Sequence, residues 1–337
     1  MTIRRPLTLL LLILLIAGMA AAAAAGAWLY RPLALASDPV ELSIEPRSTP
    51  REIAEAWVRA GVRTHPVALY EWFRWSGKAR RIRAGSYEIH AGTTPMALLE
   101  KMVRGGDETL AVVRFGEGWT FRQIRVELAR AEALKPEGAA LSDSALMAAL
   151  GASGVSPEGR FHPDTYAYSK GSSDLAVLSR AYRAMQQRLA EAWSERDPAT
   201  PLRSADEALT LASIVEKETG IEADRGRVAG VFVNRLRIGM PLQTDPTVIF
   251  GLGAAFDGNL RKRDLLADTP YNTYTRTGLP PSPIAVPGKA ALLAAVHPDP
   301  TKALYFVARG DGSSEFSETL ADHNRAVNRY QRKSGVP

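Results

Sequence analysis

Cysteine is missing from all 337 residues, which excludes disulfides, thiolate zinc sites, iron–sulfur clusters and a cysteine nucleophile together. Histidine is scarce. The five histidines, at 65, 90, 162, 297 and 323, form neither an HExxH pattern nor a close pair, so no histidine-based metal site is expected. No long Lys/Arg cluster is interleaved with aromatics, which argues against a nucleic-acid partner. A glycine-rich phosphate cradle is missing as well: Gly251-Leu252-Gly253 followed by Gly258 departs from GxGxxG spacing. No repeat of fixed solenoid period is present. Neither a cofactor nor a metal is therefore expected.

What is there reads as a globular chain. It is 46% apolar and 23% charged, too apolar for disorder and too charged for a polytopic membrane protein. At roughly 150 residues per domain the length implies two domains. The net charge of +6 suits an anionic polymer without demanding one. Arg4 and Arg5 precede an uncharged run from Pro6 to Tyr30. As a helix that run reaches about 37 Å, enough to cross a hydrocarbon layer of ~30 Å. We expect a cytoplasmic tail at 1–6 and an anchor at 7–30, with Trp28 and Tyr30 as interfacial aromatics. A cleaved signal peptide ending near Ala23-Ala24-Ala25 is the rival reading. In both cases residues from about 31 onward are exported.

Beyond the anchor, Val40–Ile44 and Arg83–Ile89 alternate as strands, and Thr49-Pro50 and Thr94-Pro95 open helices, with a further helix inserted around His65 to Ser76. Leu110–Phe115 and Tyr305–Ala308 read as later strands. Helices are expected from Phe121 through Leu128, over Ser172–Arg196 and over Thr319–Arg332. Residues 240–290 are rich in Pro, Gly, Thr and Asn, a stretch irregular enough to be functional.

The segment from Ser204 to Gly220 carries the clearest chemistry. Ser204 and Glu207 have capping-box spacing, and Gly220 is a natural stop. On a wheel of about 100° per residue starting at Leu211, the apolar stripe holds Ala208, Ala212, Ile214 and Val215. Glu218 falls at roughly 340°, inside that stripe; Glu216 lies at its margin, and Lys217 joins Asp206, Thr210 and Ser213 on the polar side. A carboxylate on the apolar face of a last helical turn should have a raised pKa, from desolvation and from the negative end of the helix dipole. A general acid working near neutral pH needs that shift. The competing reading is a structural pair between Glu218 and a buried arginine, Arg225 or Arg235. The Lys217 amine faces solvent on this wheel, which disfavours Schiff-base chemistry. Gln243-Thr244-Asp245 and Tyr271-Asn272-Thr273-Tyr274 are polar–aromatic loops of the kind that bind sugars, or equally turns closed by Asx and Pro chemistry. Glu158–Tyr166 admits the same two readings.

At these residues the chain resembles the endolytic murein transglycosylase family (MltG or YceG-like). The matching segments are Glu158–Tyr166, Ala212–Thr219 (ASIVEKET), Val231–Met240, Leu242–Val248 (LQTDPTV), Tyr271–Tyr274 (YNTY) and Thr277–Pro283 (TGLPPSP). Phe250, His162 and Val286 depart from the residues usual in the family. The resemblance implies an α+β fold with an N-terminal transmembrane helix, a small LysM-like glycan-contacting subdomain over 38–108 and a larger mixed α/β catalytic domain over 109–337. It implies non-hydrolytic cleavage of MurNAc–GlcNAc linkages within peptidoglycan strands, leaving 1,6-anhydro-MurNAc ends and terminating glycan elongation. Glu218 is the catalytic residue it implies, with Gln243, Thr244, Asp245, Tyr271, Asn272 and Tyr274 as candidate substrate contacts. The implied partners are glycan strands, the inner membrane and peptidoglycan synthases, with the body in the periplasm. A hydrolase using Asp245 as second carboxylate and a non-catalytic glycan-binding scaffold are the rival functions.

Overall fold

A computed structural model describes residues 4–44, 48–105, 111–168 and 171–332. The chain divides into two compact units, residues 1–112 with 167–172, and residues 113–166 with 173–337.

The first unit contains α1 (Arg4–Leu29), β1 (Ala34–Leu35), β2 (Val40–Ile44), α2 (Pro50–Ala60), β3 (Val62–Arg63), α3 (Pro66–Trp75), β4 (Gly85–Ile89) and α4 (Pro95–Arg104). Much of the expected anchor falls on side chains outside the described residues; among the described residues, no helix is long and apolar enough to cross a membrane. β2 and β4 pair antiparallel from Val40↔Ile89 to Ile44↔Gly85. Thr49 caps α2 with a full capping box through Glu52, so the Thr-Pro signal does start a helix there. Trp57, Phe73, Tyr87, Leu98 and Met102 fill the core between strands and helices. The Trp57 indole donates to Met102 Sδ at 3.2 Å, and the Tyr87 hydroxyl donates to the Met102 carbonyl at 3.2 Å, so the polar edges of these rings are satisfied.

The boundary between the units runs through β5 (Ala111–Arg114); the second unit continues with α5 (Phe121–Arg130) and α6 (Asp143–Ala149). β6 (Thr165–Tyr168), which pairs with β5, and α7 (Asp174–Ser194) follow. Next come α8 (Ala205–Glu218), α9 (Glu222–Arg237), α10 (Asp245–Leu252), α11 (Lys262–Leu266) and α12 (Lys289–Val296). A hairpin of β7 (Tyr305–Ala308) and β8 (Ser314–Ser317) and a closing helix, α13 (Leu320–Val327), complete it. The core lies where α7, α8, α9 and α12 meet: Met185, Leu189, Leu209, Ile214, Val215, Val228, Phe232 and Leu292 are all buried in one cluster.

α8 is the central element, and it differs from the wheel in one respect. Every residue from Ala208 to Val215 is buried, including Thr210 and Ser213, which the wheel places on a polar side. The reason is that the chain near Ile284 packs over that face. Ser213 donates to the Thr210 carbonyl at 2.7 Å and accepts the Ile284 amide at 3.0 Å, while Thr210 donates to the Asp206 carbonyl at 2.9 Å. Small hydroxyls can lie inside a core when their bonds are completed locally. The ends differ too. Ser204 accepts the Glu207 amide, but Glu207 reaches the amide of Arg203 rather than that of Ser204. The helix ends at Glu218 because Thr219 is extended (φ −148°, ψ 130°), two residues before Gly220 could act as a stop.

Glu158, from the Glu158–Tyr166 motif, has a structural place. Its carboxylate accepts the Phe121 amide through both oxygens, at 3.0 and 3.1 Å, where the first turn of α5 leaves its amides free. Gly159, at φ +76°, keeps this loop close: a Cβ there would sit 2.5 Å from Pro283 Cβ. Arg160 pairs with Asp206 at 2.6 Å, which ties the motif to the first turn of α8.

Candidate active site

The last turn of α8 brings Glu218 against the start of α10. Thr244, the residue before α10, is of the type that ordinarily caps a helix with its side chain, yet it makes no capping bond. Its hydroxyl donates instead to Glu218 Oε1. Thr244 is only 3% exposed and is held from below: its amide donates to Thr273 Oγ1 at 3.1 Å, and Thr273 and Thr247 share a hydroxyl contact at 2.9 Å. Gln243 precedes it with φ +48°, a left-handed conformation that a side chain of this type adopts at a cost of order 1–3 kcal/mol. The amide of Gln243, donating to the Thr273 carbonyl at 3.0 Å, helps hold that conformation. Backbone strain is thus located one residue from the carboxylate contact.

Glu218 itself is half-buried. Burial pushes its pKa up; the Thr244 hydrogen bond opposes this, the Asp245 charge adds to it, and Arg235 opposes it more weakly. Among the described residues Glu218 forms no ion pair, so the structural pair with an arginine is not what is found. Arg235, 6% exposed, directs its guanidinium to backbone carbonyls, Nε to Leu304 at 2.7 Å and Nη1 to Leu242 at 2.7 Å, and lies 5.3 Å from the Tyr305 ring centroid. Burial lowers its own pKa, and it buttresses α9 against β7 and the chain leading to Gln243. Among the described residues Arg225 forms no hydrogen bond or ion pair with Glu218, and its Nε is buried without a hydrogen-bond partner.

The other candidates divide. Asp245 is exposed and accepts the Tyr274 hydroxyl at 2.5 Å; Tyr274 is half-buried, and burial together with the Asp245 carboxylate holds its phenol well above the usual tyrosine range. Gln243 is exposed beside them. Glu218, Gln243, Thr244, Asp245 and Tyr274 are therefore joined by adjacency or hydrogen bonds. Tyr271 is turned elsewhere: its hydroxyl meets Ser282 Oγ at 2.7 Å and its ring packs edge-on against Phe250 at 4.8 Å. Asn272 is fully buried. Its amide nitrogen donates to the carbonyls of Asp264, Leu265 and Ala267, and its oxygen accepts the Tyr274 amide at 2.8 Å, so its polar atoms are spent holding the loop.

Thr273 and Thr247 also build the site, although nothing in their residue type marks them out. Their presence inside the LQTDPTV and YNTY segments was the available signal. Glu216, on the far side of the helix, accepts the Gly288 amide at 2.9 Å and joins α8 to the start of α12; burial raises its pKa as well. Lys217 is exposed and donates to the Gly118 carbonyl at 3.3 Å. Among the described residues no cluster of three or more His, Asp and Glu could hold a metal ion.

The pattern of the YceG-like family matches residues 42–329. An endolytic murein transglycosylase of Bacillus subtilis is 32% identical over 329 residues, covering 90% of each chain. A second protein of that name, from Streptococcus pneumoniae, is 27% identical over 86% of this chain and 58% of its own length. A crystal structure of a YceG-like protein from Listeria monocytogenes superposes with a TM-score of 0.51 at 26% identity, covering 86% of this chain and 98% of the other. The mixed α+β architecture, the span of the match and the degree of identity agree: this chain belongs to the YceG-like family.

Proposed function

We propose that the chain is an endolytic murein transglycosylase, a lyase that cuts MurNAc–GlcNAc linkages inside peptidoglycan strands with Glu218 as its acid and base. The observation that carries this reading is a half-buried carboxyl that forms no ion pair among the described residues, has its pKa raised by burial, and stands beside exposed Asp245 and Gln243. A neutral carboxyl in that position can donate a proton to the glycosidic oxygen as the C1–O bond breaks. The carboxylate left behind then takes the proton from the MurNAc C6 hydroxyl while O6 bonds to C1. The enzyme regains its starting protonation, and no water is consumed. Because the C6 hydroxyl belongs to the same sugar, proximity replaces an activated water. Gln243, Asp245 and Tyr274 would contact the sugar, and Tyr271 and Asn272 would shape the loop that presents them.

Asp245 supports a second reading, hydrolysis. A retaining pair needs carboxyl groups ~5–5.5 Å apart and an inverting pair ~6.5–9.5 Å. Product ends separate the two: incubation of the full chain with purified sacculi should yield anhydro-MurNAc ends, and reducing ends in their place would establish hydrolysis. Absence of any cleavage would favour the glycan-binding scaffold.

The finer assignments rest on sequence. The uncharged run at 7–30 supports a single-pass inner-membrane anchor with residues 1–6 in the cytoplasm and the body in the periplasm. The β2–α2–β3–α3–β4 order supports a LysM-like glycan-contacting role for 38–108, with catalysis in 109–337. Termination of nascent glycan strands beside peptidoglycan synthases follows from cutting within a strand at the membrane surface. Membrane fractionation tests the anchor, and a mature N-terminus just after Ala25 would overturn it.

A further inference from the structure

We propose that Thr244 is a positioning residue that holds Oε1 of Glu218 as a permanent acceptor, so that Oε2 alone carries the proton exchanged with the glycan. The inference rests on Glu218 being the acid/base.

It follows from counting hydrogens. A threonine hydroxyl has one proton to donate, and a buried one needs a partner for it. Thr244 is almost completely enclosed, and its side chain makes no capping bond to α10. Among the described residues, Glu218 Oε1 is the only hydrogen-bond partner of its hydroxyl. If a protonated Glu218 donated from Oε1 to Thr244, the threonine proton would be stranded in the protein interior. That arrangement forfeits about 1–3 kcal/mol. Threonine therefore donates whether Glu218 is charged or neutral, and the carboxyl proton belongs on the other oxygen. Oε2 has no partner among the described residues, which leaves it free for substrate. Oε2–H gives its proton to the leaving glycosidic oxygen, then recovers one from the C6 hydroxyl, so both transfers use one oxygen and the carboxyl need not rotate between them.

The support beneath Thr244 fits this role. Thr273 receives its amide, Thr247 donates to its carbonyl at 2.7 Å, and the left-handed Gln243 turns the chain so that the hydroxyl meets α8. The charged and titratable groups around Glu218 are Arg235 from α9, Asp245 at the start of α10, Tyr274 from the following loop, and Glu216 and Lys217 on α8 itself. None of them changes in the test variants.

Thr244→Val keeps the shape and removes the hydroxyl; Thr244→Ser keeps the hydroxyl. With the full chain and purified sacculi, we expect Thr244→Val to lower kcat about 10- to 100-fold with KM nearly unchanged. A bond donated to the charged form holds a carboxyl pKa down, so its loss should move the basic limb of the pH–rate profile to higher pH. Thr244→Ser should restore both. A Thr244→Val enzyme with wild-type kcat and profile would overturn the proposal, as would equal damage in Thr244→Ser. If Thr244→Val does not fold, an infrared titration of the unsubstituted chain against Glu218→Gln decides: the protonated Glu218 carbonyl should show the lowered stretch of an acceptor, and a free carbonyl stretch would overturn the assignment. Failure of the underlying acid/base reading looks different, because Glu218→Gln itself would then keep its turnover.

Discussion

Glu158 and Glu218 stand in the same unit, both with carboxyl pKa values raised by burial, and they do different things. Glu158 lies before the N-terminus of α5, where it accepts a backbone amide through both oxygens, and its pKa is pushed up to about 7. Glu218 lies at the C-terminus of α8, where the helix dipole disfavours negative charge and one oxygen alone is engaged. A perturbed pKa is thus shared by a group that closes a helix end and a group that can do chemistry. What separates them is the free oxygen and a path to solvent, and no titration value reports either.

The largest effect is expected at Glu218. Glu218→Gln keeps the size of the side chain and cannot exchange a proton, so release of anhydro ends should fall at least ~10²–10⁴-fold. The thermal midpoint should stay level or rise, because a buried acid has become neutral. A folded variant with near-wild-type turnover would remove the catalytic assignment.

Glu158→Gln should do the opposite, leaving turnover per folded molecule near wild type and altering stability. The sign follows from the raised pKa. Below its ordinary value of 4.5 the group is protonated in both folded and unfolded states and contributes no pH dependence. As pH climbs from 4.5 to about 7 the unfolded chain ionises first, so wild-type stability falls by at most about 3 kcal/mol and then levels off. The glutamine lacks this slope. Thermal or denaturant unfolding across pH 5–8 should therefore show the variant at its greatest disadvantage at low pH, with the gap closing as pH rises. A pH-independent gap would place the Glu158 pKa near its ordinary value.

Glu216→Gln should be mildest. The amide oxygen can still accept from Gly288, so turnover within a few-fold of wild type and a shift of about 1 kcal/mol or less in stability are expected. A loss of turnover comparable with that of Glu218→Gln would mean that the helix carries two acids.

How much of this was legible depended on whether the signal was local. Thr49, Thr94 and Ser204 mark helix starts because a cap acts within four residues, and the helices duly begin after them. The strand at 40–44 is visible in its alternation, and that at 305–308 in a short apolar run, Tyr-Phe-Val-Ala. The helices at 222–237 and 245–252 were not. α9 is buried over Val228–Val233 without an amphipathic stripe, and α10 is short and opens with Asp-Pro inside a Gly- and Thr-rich stretch. The burial of Thr210 and Ser213 was invisible for another reason: its cause, Ile284, is 71 residues from Ser213 in the chain.

The amino-acid order by itself determined that a carboxyl would stand on the apolar face in the last turn of a capped helix, because helical periodicity and capping are properties of neighbouring residues. It also determined that no thiol chemistry was available. Packing set the rest: among the described residues this carboxyl has no arginine partner, Thr244, 26 residues onward, holds one of its oxygens, and Arg235 turns to backbone carbonyls instead. Those outcomes depend on how α8, α9 and the start of α10 pack together, and a hydrogen bond between distant segments exists only once packing has brought donor and acceptor within about 3 Å.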